Sequence, residues 1–202
     1  AQIQSAKQGE AYDYSPCFAD ITHEIAAVDY AVVNLESPIG GQPYTGYPCF
    51  SAPDEFPIAL QNAGFDLFLT ANNHCLDRYT RGAIRTLHIL DSIGADHIGT
   101  YDSKDSFERF YPFITSIKGI RIAFLNYTYG TNGFTPHSPL IVNYIDEEKI
   151  KKDIFRAKTL SADLIVACLH WGDEYQLLPN KRQEDLADFL AKEGVQLIIG
   201  AH

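Results

Sequence analysis

The stretch DLIVACLHWGDEYQLLPNKRQEDLADFLAKEGVQLIIGAH, residues Asp163–His202, decides the fold class, because it sets two apolar runs on either side of one amphipathic segment. Asp163–Leu169 and Val195–Ile199 are near-continuous in aliphatic residues and too short for helices, the pattern of strands buried on both faces. Between them, Asn180 and Gln183 have the spacing of a helix N-cap and its return partner. Leu186, Phe189 and Leu190 share one helical stripe, and Gly194 supplies a stop. The stretch therefore predicts a β-α-β unit.

Further strand-type runs stand upstream at Asp29–Leu35, Phe65–Thr70 and Ile120–Leu125. Ala83, Ile84, Leu87, Leu90 and Ile93 recur at helical spacing and end at Gly94, which predicts an amphipathic crossover helix. Phe110–Ile117 and Ile120–Tyr129 flank the short link Lys118-Gly119, so an antiparallel hairpin joins an otherwise parallel sheet and makes it mixed. Within Asp146–Leu160, the apolar residues Ile150, Ile154 and Ala157 are in step and give a helix that covers a face. The Pro/Gly/Tyr-rich patch Pro38–Pro57 reads as an ordered surface loop. With 202 residues, 46% of them hydrophobic, and no repeats, the chain suits one α/β domain over residues 1–202.

A net charge of −10 with only 16 basic residues argues against general nucleic-acid or anionic-membrane binding, since neither surface would attract the chain. No run approaches the roughly 20 apolar residues needed to span a bilayer, and the N-terminus lacks the basic and apolar segments of a secretory signal. Cys17, Cys49, Cys75 and Cys168 show no C-x-x-C spacing, which speaks against a zinc ribbon or a thioredoxin-like site. Mostly buried thiols are expected, and Cys17–Cys49 is the one pairing considered.

The polar residues fall at telling places. Asn34 and Glu36 follow the first apolar run, Asn72-Asn73-His74 the second, His170-Trp171 the fourth and His202 the last, each at the carboxyl end of a strand. In open α/β sheets that edge is where the chain can aim side chains into a common crevice. Imidazole nitrogen, carboxylate and amide oxygen together suit divalent Mn, Fe or Zn. Plainer roles compete: Asn34 and Glu36 as strand caps, Asn72 and Asn73 as turn formers, His170 as a satisfied core histidine. Asp77 and Arg78 either orient His74, contact substrate or sit in a solvated loop. His23, His88, His97 and His137 lack carboxylate or histidine companions at ligand spacing and read as structural or surface residues. Asp29, Asp66 and Asp163, at the opposite strand ends, read as exposed caps.

The segments Asn34-Leu35-Glu36-Ser37-Pro38, Ala71-Asn72-Asn73-His74, His170-Trp171-Gly172-Asp173-Glu174-Tyr175 and Gly200-Ala201-His202 together resemble the bacterial CapA family of poly-γ-glutamate capsule synthesis. That family is similar to the calcineurin-like metallophosphoesterases. The resemblance implies a four-layer α/β/β/α sandwich of two mixed sheets, holding two divalent cations (Mn, Fe or Zn). By position it makes Glu36 the metal bridge, Asn73, His170 and His202 metal ligands, and His74 the catalytic acid or oxyanion stabiliser. Asn34, Asn72, Asp77, Trp171, Glu174 and Tyr175 then support the site or line its rim. Two departures follow from the comparison: the family's opening strand with its G-D-x-M segment would precede Ala1, and the second histidine of its closing G-x-H-x-H would follow His202. The chain is thus read as lacking the first strand and as truncated at both ends. A Glu also stands at position 36, where many phosphoesterases use Asp.

The implied chemistry is phosphoester hydrolysis by two cations about 3.5–4 Å apart, which activate water and clamp phosphoryl oxygens. Capsule polymer or its synthesis machinery, a location in the cell envelope and membrane attachment only through a segment outside these residues are implied by the resemblance alone. Two other readings stay open: a non-catalytic envelope component that binds assembly partners, and a metal-dependent amide hydrolase acting on polyglutamate.

Overall fold

A computed structural model describes residues 2–202. Its main elements, in chain order, are β1 (Val32–Asn34), α1 (Glu55–Asn62), β2 (Leu67–Leu69), α2 (Tyr79–Ser92), β3 (Asp96–Ile98), β4 (Phe113–Ile117), β5 (Ile120–Thr128), α3 (Glu147–Thr159), β6 (Leu164–His170), α4 (Lys181–Glu193) and β7 (Leu197–Ala201). One sheet runs β1-β2-β3 and is parallel throughout. The other runs β7-β6-β5-β4, parallel except for the β4–β5 hairpin.

Strand alternation sorts the core into layers. Val166 and Cys168 of β6 and Phe124 of β5 meet Leu67 and Leu69 of β2 and Ile98 of β3, filling the gap between the sheets. The alternate residues Ile165, Ala167 and Leu169 turn the other way, onto Ile150, Ile154 and Ala157 of α3 and Leu186 and Leu190 of α4. Behind the first sheet, Phe68 packs on Leu60 of α1 and Leu90 of α2. The order helix, sheet, sheet, helix is the α/β/β/α sandwich that was expected. Only the four-stranded sheet is mixed. In the three-stranded sheet each strand reaches the next through a crossover helix, which leaves its strands parallel.

Local chemistry explains the boundaries. Lys118 and Gly119 both take positive φ (49° and 86°), the two-residue turn whose twist suits a hairpin. The Asn180 side chain accepts the Gln183 backbone N–H at 3.0 Å, and Gln183 Oε1 accepts that of Asn180 at 2.9 Å, so α4 opens on a complete capping box. It closes at Gly194, φ 94°. Asp146 caps α3 by accepting from Lys149 N at 2.7 Å.

Several expectations need correction. The strand predicted from Phe110 begins at Phe113, because a helix over Lys104–Phe110, capped by Ser103, occupies the preceding residues. The predicted loop to Pro57 ends early: α1 starts at Glu55, and Pro57 fits its first turn, where no N–H is needed. Asp66 and Asp163 do more than cap. Asp66 accepts from Ala31 N (2.7 Å) and Asp163 from Arg121 N (2.9 Å), joining neighbouring segments, and Asp29 pairs with Lys118 (2.8 Å). Cys17 and Cys49 are free thiols, exposed and half-buried respectively, so they form no bridge; only Cys75 and Cys168 are buried.

Candidate metal centre

The parallel strands of both sheets end along one edge. His170 lies in register with Thr128 of β5 and Ala201 of β7, and Asn34 with Leu69 of β2. From that edge the chain runs on into the segments that carry Glu36, Asn72, Asn73, His74 and His202.

Four of these side chains converge. Asn73 Oδ1 stands 3.0 Å from His170 Nε2, Glu36 Oε1 stands 3.7 Å from the same nitrogen, and the rings of His170 and His202 are 5.1 Å apart. Asn34 and Asn72 brace the group. Asn34 Nδ2 donates to Glu36 Oε2 (2.9 Å); Asn72 Nδ2 donates to Leu35 O (2.9 Å) and Asn34 Oδ1 (3.3 Å), while its Oδ1 accepts from His74 N (3.2 Å). The carboxylate of Glu36 is therefore held from one side and free on the other.

His74 is fixed by Asp77, whose Oδ2 lies 2.7 Å from Nδ1 and also accepts the Phe50 backbone N–H at 2.7 Å. The Phe50 ring meets the imidazole edge-on at 4.6 Å. Burial raises the Asp77 carboxyl above its ordinary pKa, against the downward pull of the Phe50 N–H and His74. Burial likewise holds His170 down, at about 4, with His202 and His74 adding to the effect. His170 is thus neutral near pH 7, the state a ligand imidazole requires.

Donors about 2.0–2.2 Å from one first-row cation stand about 3.0 Å apart at a right angle and about 3.6 Å apart at 120°. The Asn73–His170 and Glu36–His170 separations, 3.0 and 3.7 Å, fall close to those two values. Counting His, Cys, Asp and Glu alone, no cluster of three or more that could hold a metal ion exists among the described residues. The amide of Asn73 adds a third donor beside Glu36 and His170, a set whose chemistry suits a divalent first-row cation.

The rim residues differ among themselves. Glu174 Oε1 lies 3.8 Å from His202 Nε2, and Trp171, half-buried, donates its backbone N–H to Ala201 O (3.0 Å). Tyr175 is 97% exposed and shares a surface cleft with both of them and His202, without bonding to the cluster. His97 and His88 do have carboxylate partners, Asp91 (3.1 Å) and Asp102 (3.7 Å), which sequence spacing concealed.

Two residues of the centre escaped the sequence. Asn126, buried in β5, accepts from Ala71 N (2.9 Å) and donates to Cys168 O (3.1 Å), tying the loop after β2 to β6 across the gap between sheets. Its one signal is a lone amide in an apolar run. Tyr129 stacks on His170 (6.2 Å, 13°) and brings its hydroxyl to 3.3 Å from His202 Nε2. It sits just past the end of β5, on the same edge as the other polar clusters.

The capsule biosynthesis protein CapA of Bacillus anthracis is 28% identical over 201 residues, covering 92% of this chain and 47% of that protein. The PGA biosynthesis protein CapA of Bacillus subtilis (strain 168) is also 28% identical, over 87% of this chain and 47% of its own length. The chain thus spans about half the length of these relatives. Among solved structures, the NAD nucleotidase of Haemophilus influenzae superposes with a TM-score of 0.56 at 15% identity, covering 94% of this chain and 36% of that one. That likeness is one of fold. The family described as bacterial capsule synthesis protein PGA_cap matches residues 1–202, and the chain belongs to it.

Proposed function

We propose that the chain carries a metal-dependent, phosphoesterase-like hydrolase site that serves synthesis of a poly-γ-glutamate-type capsule at the cell envelope. The observation that supports it best is the approach of Asn73 Oδ1 and Glu36 Oε1 to one nitrogen of a neutral, buried His170, at cation-sharing distances. Divalent cations, when bound, would supply Lewis acidity and lower the pKa of water.

Glu36, Asn73, His170 and His202 would hold the metal. Glu36, with one oxygen on Asn34 and the other directed to His170, has the freedom to serve two ions. His74, with Nδ1 occupied by Asp77, keeps Nε2 as the ring nitrogen that delivers a proton to the leaving oxygen. Trp171, Glu174 and Tyr175 form the rim on the His202 side. The capsule polymer or its synthesis machinery is the partner in this reading.

Calorimetric titration of the chain with manganese or zinc tests it. Binding is expected, weakened at least about tenfold by Glu36→Ala or His170→Ala. No binding, or unchanged affinity in both variants, would overturn the reading.

The segment between β6 and α4 favours a second reading, a non-catalytic envelope component that binds assembly partners. There Leu177 is 100% and Leu178 81% exposed beside Tyr175. Capsule formation in cells separates the two readings. Loss with His170→Ala supports the hydrolase, whereas loss only with Leu177→Asp and Leu178→Asp supports the binding role.

A further inference from the structure

Beside Glu36, a cleft of about 400 Å³ opens between the segment from Ser37 to Phe56 and the N-terminal residues. The rings of Tyr14, Tyr47, Phe50 and Phe56 line it, together with Asn34 and Glu36. Its walls are preset. The loop is anchored by Ile39 N donating to Thr86 Oγ1 (2.9 Å), by a two-pronged Arg85–Asp54 pair (2.7 and 2.8 Å) and by Phe50 N on Asp77.

Three features define the occupant. No lysine or arginine is among the described residues that line the cleft, so no side chain there pairs with an anionic group. Tyr47 is 85% exposed at the cleft, with no ring against it among the described residues. Tyr14, 3% exposed, meets Phe56 edge-on at 5.1 Å, so that this wall is itself an aromatic pair. Aromatic walls reward a second ring over an aliphatic one, through edge and face contacts beyond simple area. A cavity of roughly 150 Å³ already holds benzene, so the cleft takes a ring and its linker.

We propose that this cleft receives an uncharged aromatic group of the substrate, and so selects esters that carry such a group beside the bond cleaved. The proposal rests on the hydrolase reading above. Phe50, which lines the cleft and meets the His74 imidazole edge-on at 4.6 Å, links the two places.

Two measurements on the chain test it together. Amide chemical shifts, recorded without metal, follow titration with benzamide and with cyclohexanecarboxamide. Benzamide is expected to shift the signals of Tyr14, Tyr47 and Phe50 and to bind about fivefold more tightly, an advantage that Tyr47→Ala removes. With manganese present, kcat/KM for 2-phenylethyl phosphate is compared with that for 2-cyclohexylethyl phosphate, whose alcohols are of like acidity. A ratio of about five or more is expected, falling toward one in Tyr47→Ala. Equal values for the two esters, or absent shifts at the cleft, overturn the proposal while leaving the hydrolase reading intact. Ring-selective binding with hydrolysis of neither ester supports the cleft and overturns the hydrolase reading.

Discussion

Removing the amide of Asn126 takes the acceptor from the buried Ala71 N–H and a second donor from Cys168 C=O, whose strand already supplies one. A buried N–H left unsatisfied costs about 1–3 kcal/mol, so Asn126→Ala is expected to lower stability by about that much, read from urea unfolding. A loss under 0.5 kcal/mol would show that the bridge across the sheets is dispensable. Glu36, Asn73 and His170 were legible in the sequence because carboxylate, amide and imidazole are costly at the ends of buried strands and need a reason to be there. Asn126 was not, since one amide inside a strand does not reveal which partner it meets across the sandwich. Tyr129 was hidden for a related reason: an aromatic residue beside a strand reads as core until the neighbouring strand ends show it stacked on His170.

At the scale of elements, the turn after β3 is the tightest point near the centre. Gly99 has φ 113°, and a Cβ there would fall 2.1 Å from Asn126 Oδ1 and 2.5 Å from Ala71 N. Gly99→Ala therefore combines strain with displacement of the loop that carries Asn73, and a loss of at least about 2 kcal/mol is expected in thermal unfolding. Asn180→Ala acts on a different element. It removes the capping box of α4 and the bond from Asn180 Nδ2 to Asp173 (2.8 Å), for about 1 kcal/mol, without touching Glu36 or Asn73. The β-α-β unit from Asp163 onward could be read directly because its caps and stop are local chemistry. Short strands such as β3, and the pair Thr100–Tyr101 with Ile141–Val142, are two or three residues long and present no periodicity to read.

For the molecule as a whole, the layered order was legible only through family resemblance. Near-continuous apolar strands say that both faces are buried, but not which face meets the second sheet and which meets the helices. The geometry settles it: Val166 and Cys168 face one way, Ile165 and Ala167 the other. A folded protein that binds an ion its unfolded chain does not bind gains about 2.7 kcal/mol at a hundredfold excess over Kd. Manganese is accordingly expected to raise the melting temperature by several degrees, reversibly with chelator and by about half as much or less in Glu36→Ala. An equal rise in that variant would mean that the ion acts elsewhere. Glu36 and Asn73 ride on one sheet and His170 and His202 on the other, so the sandwich works as a caliper whose jaws are the candidate ligands. Its setting is the thickness of the hydrophobic filling. A bulkier residue at Cys168, or a smaller one at Leu69, would change the jaw opening, and with it the separation of the candidate ligands, without substituting any polar side chain.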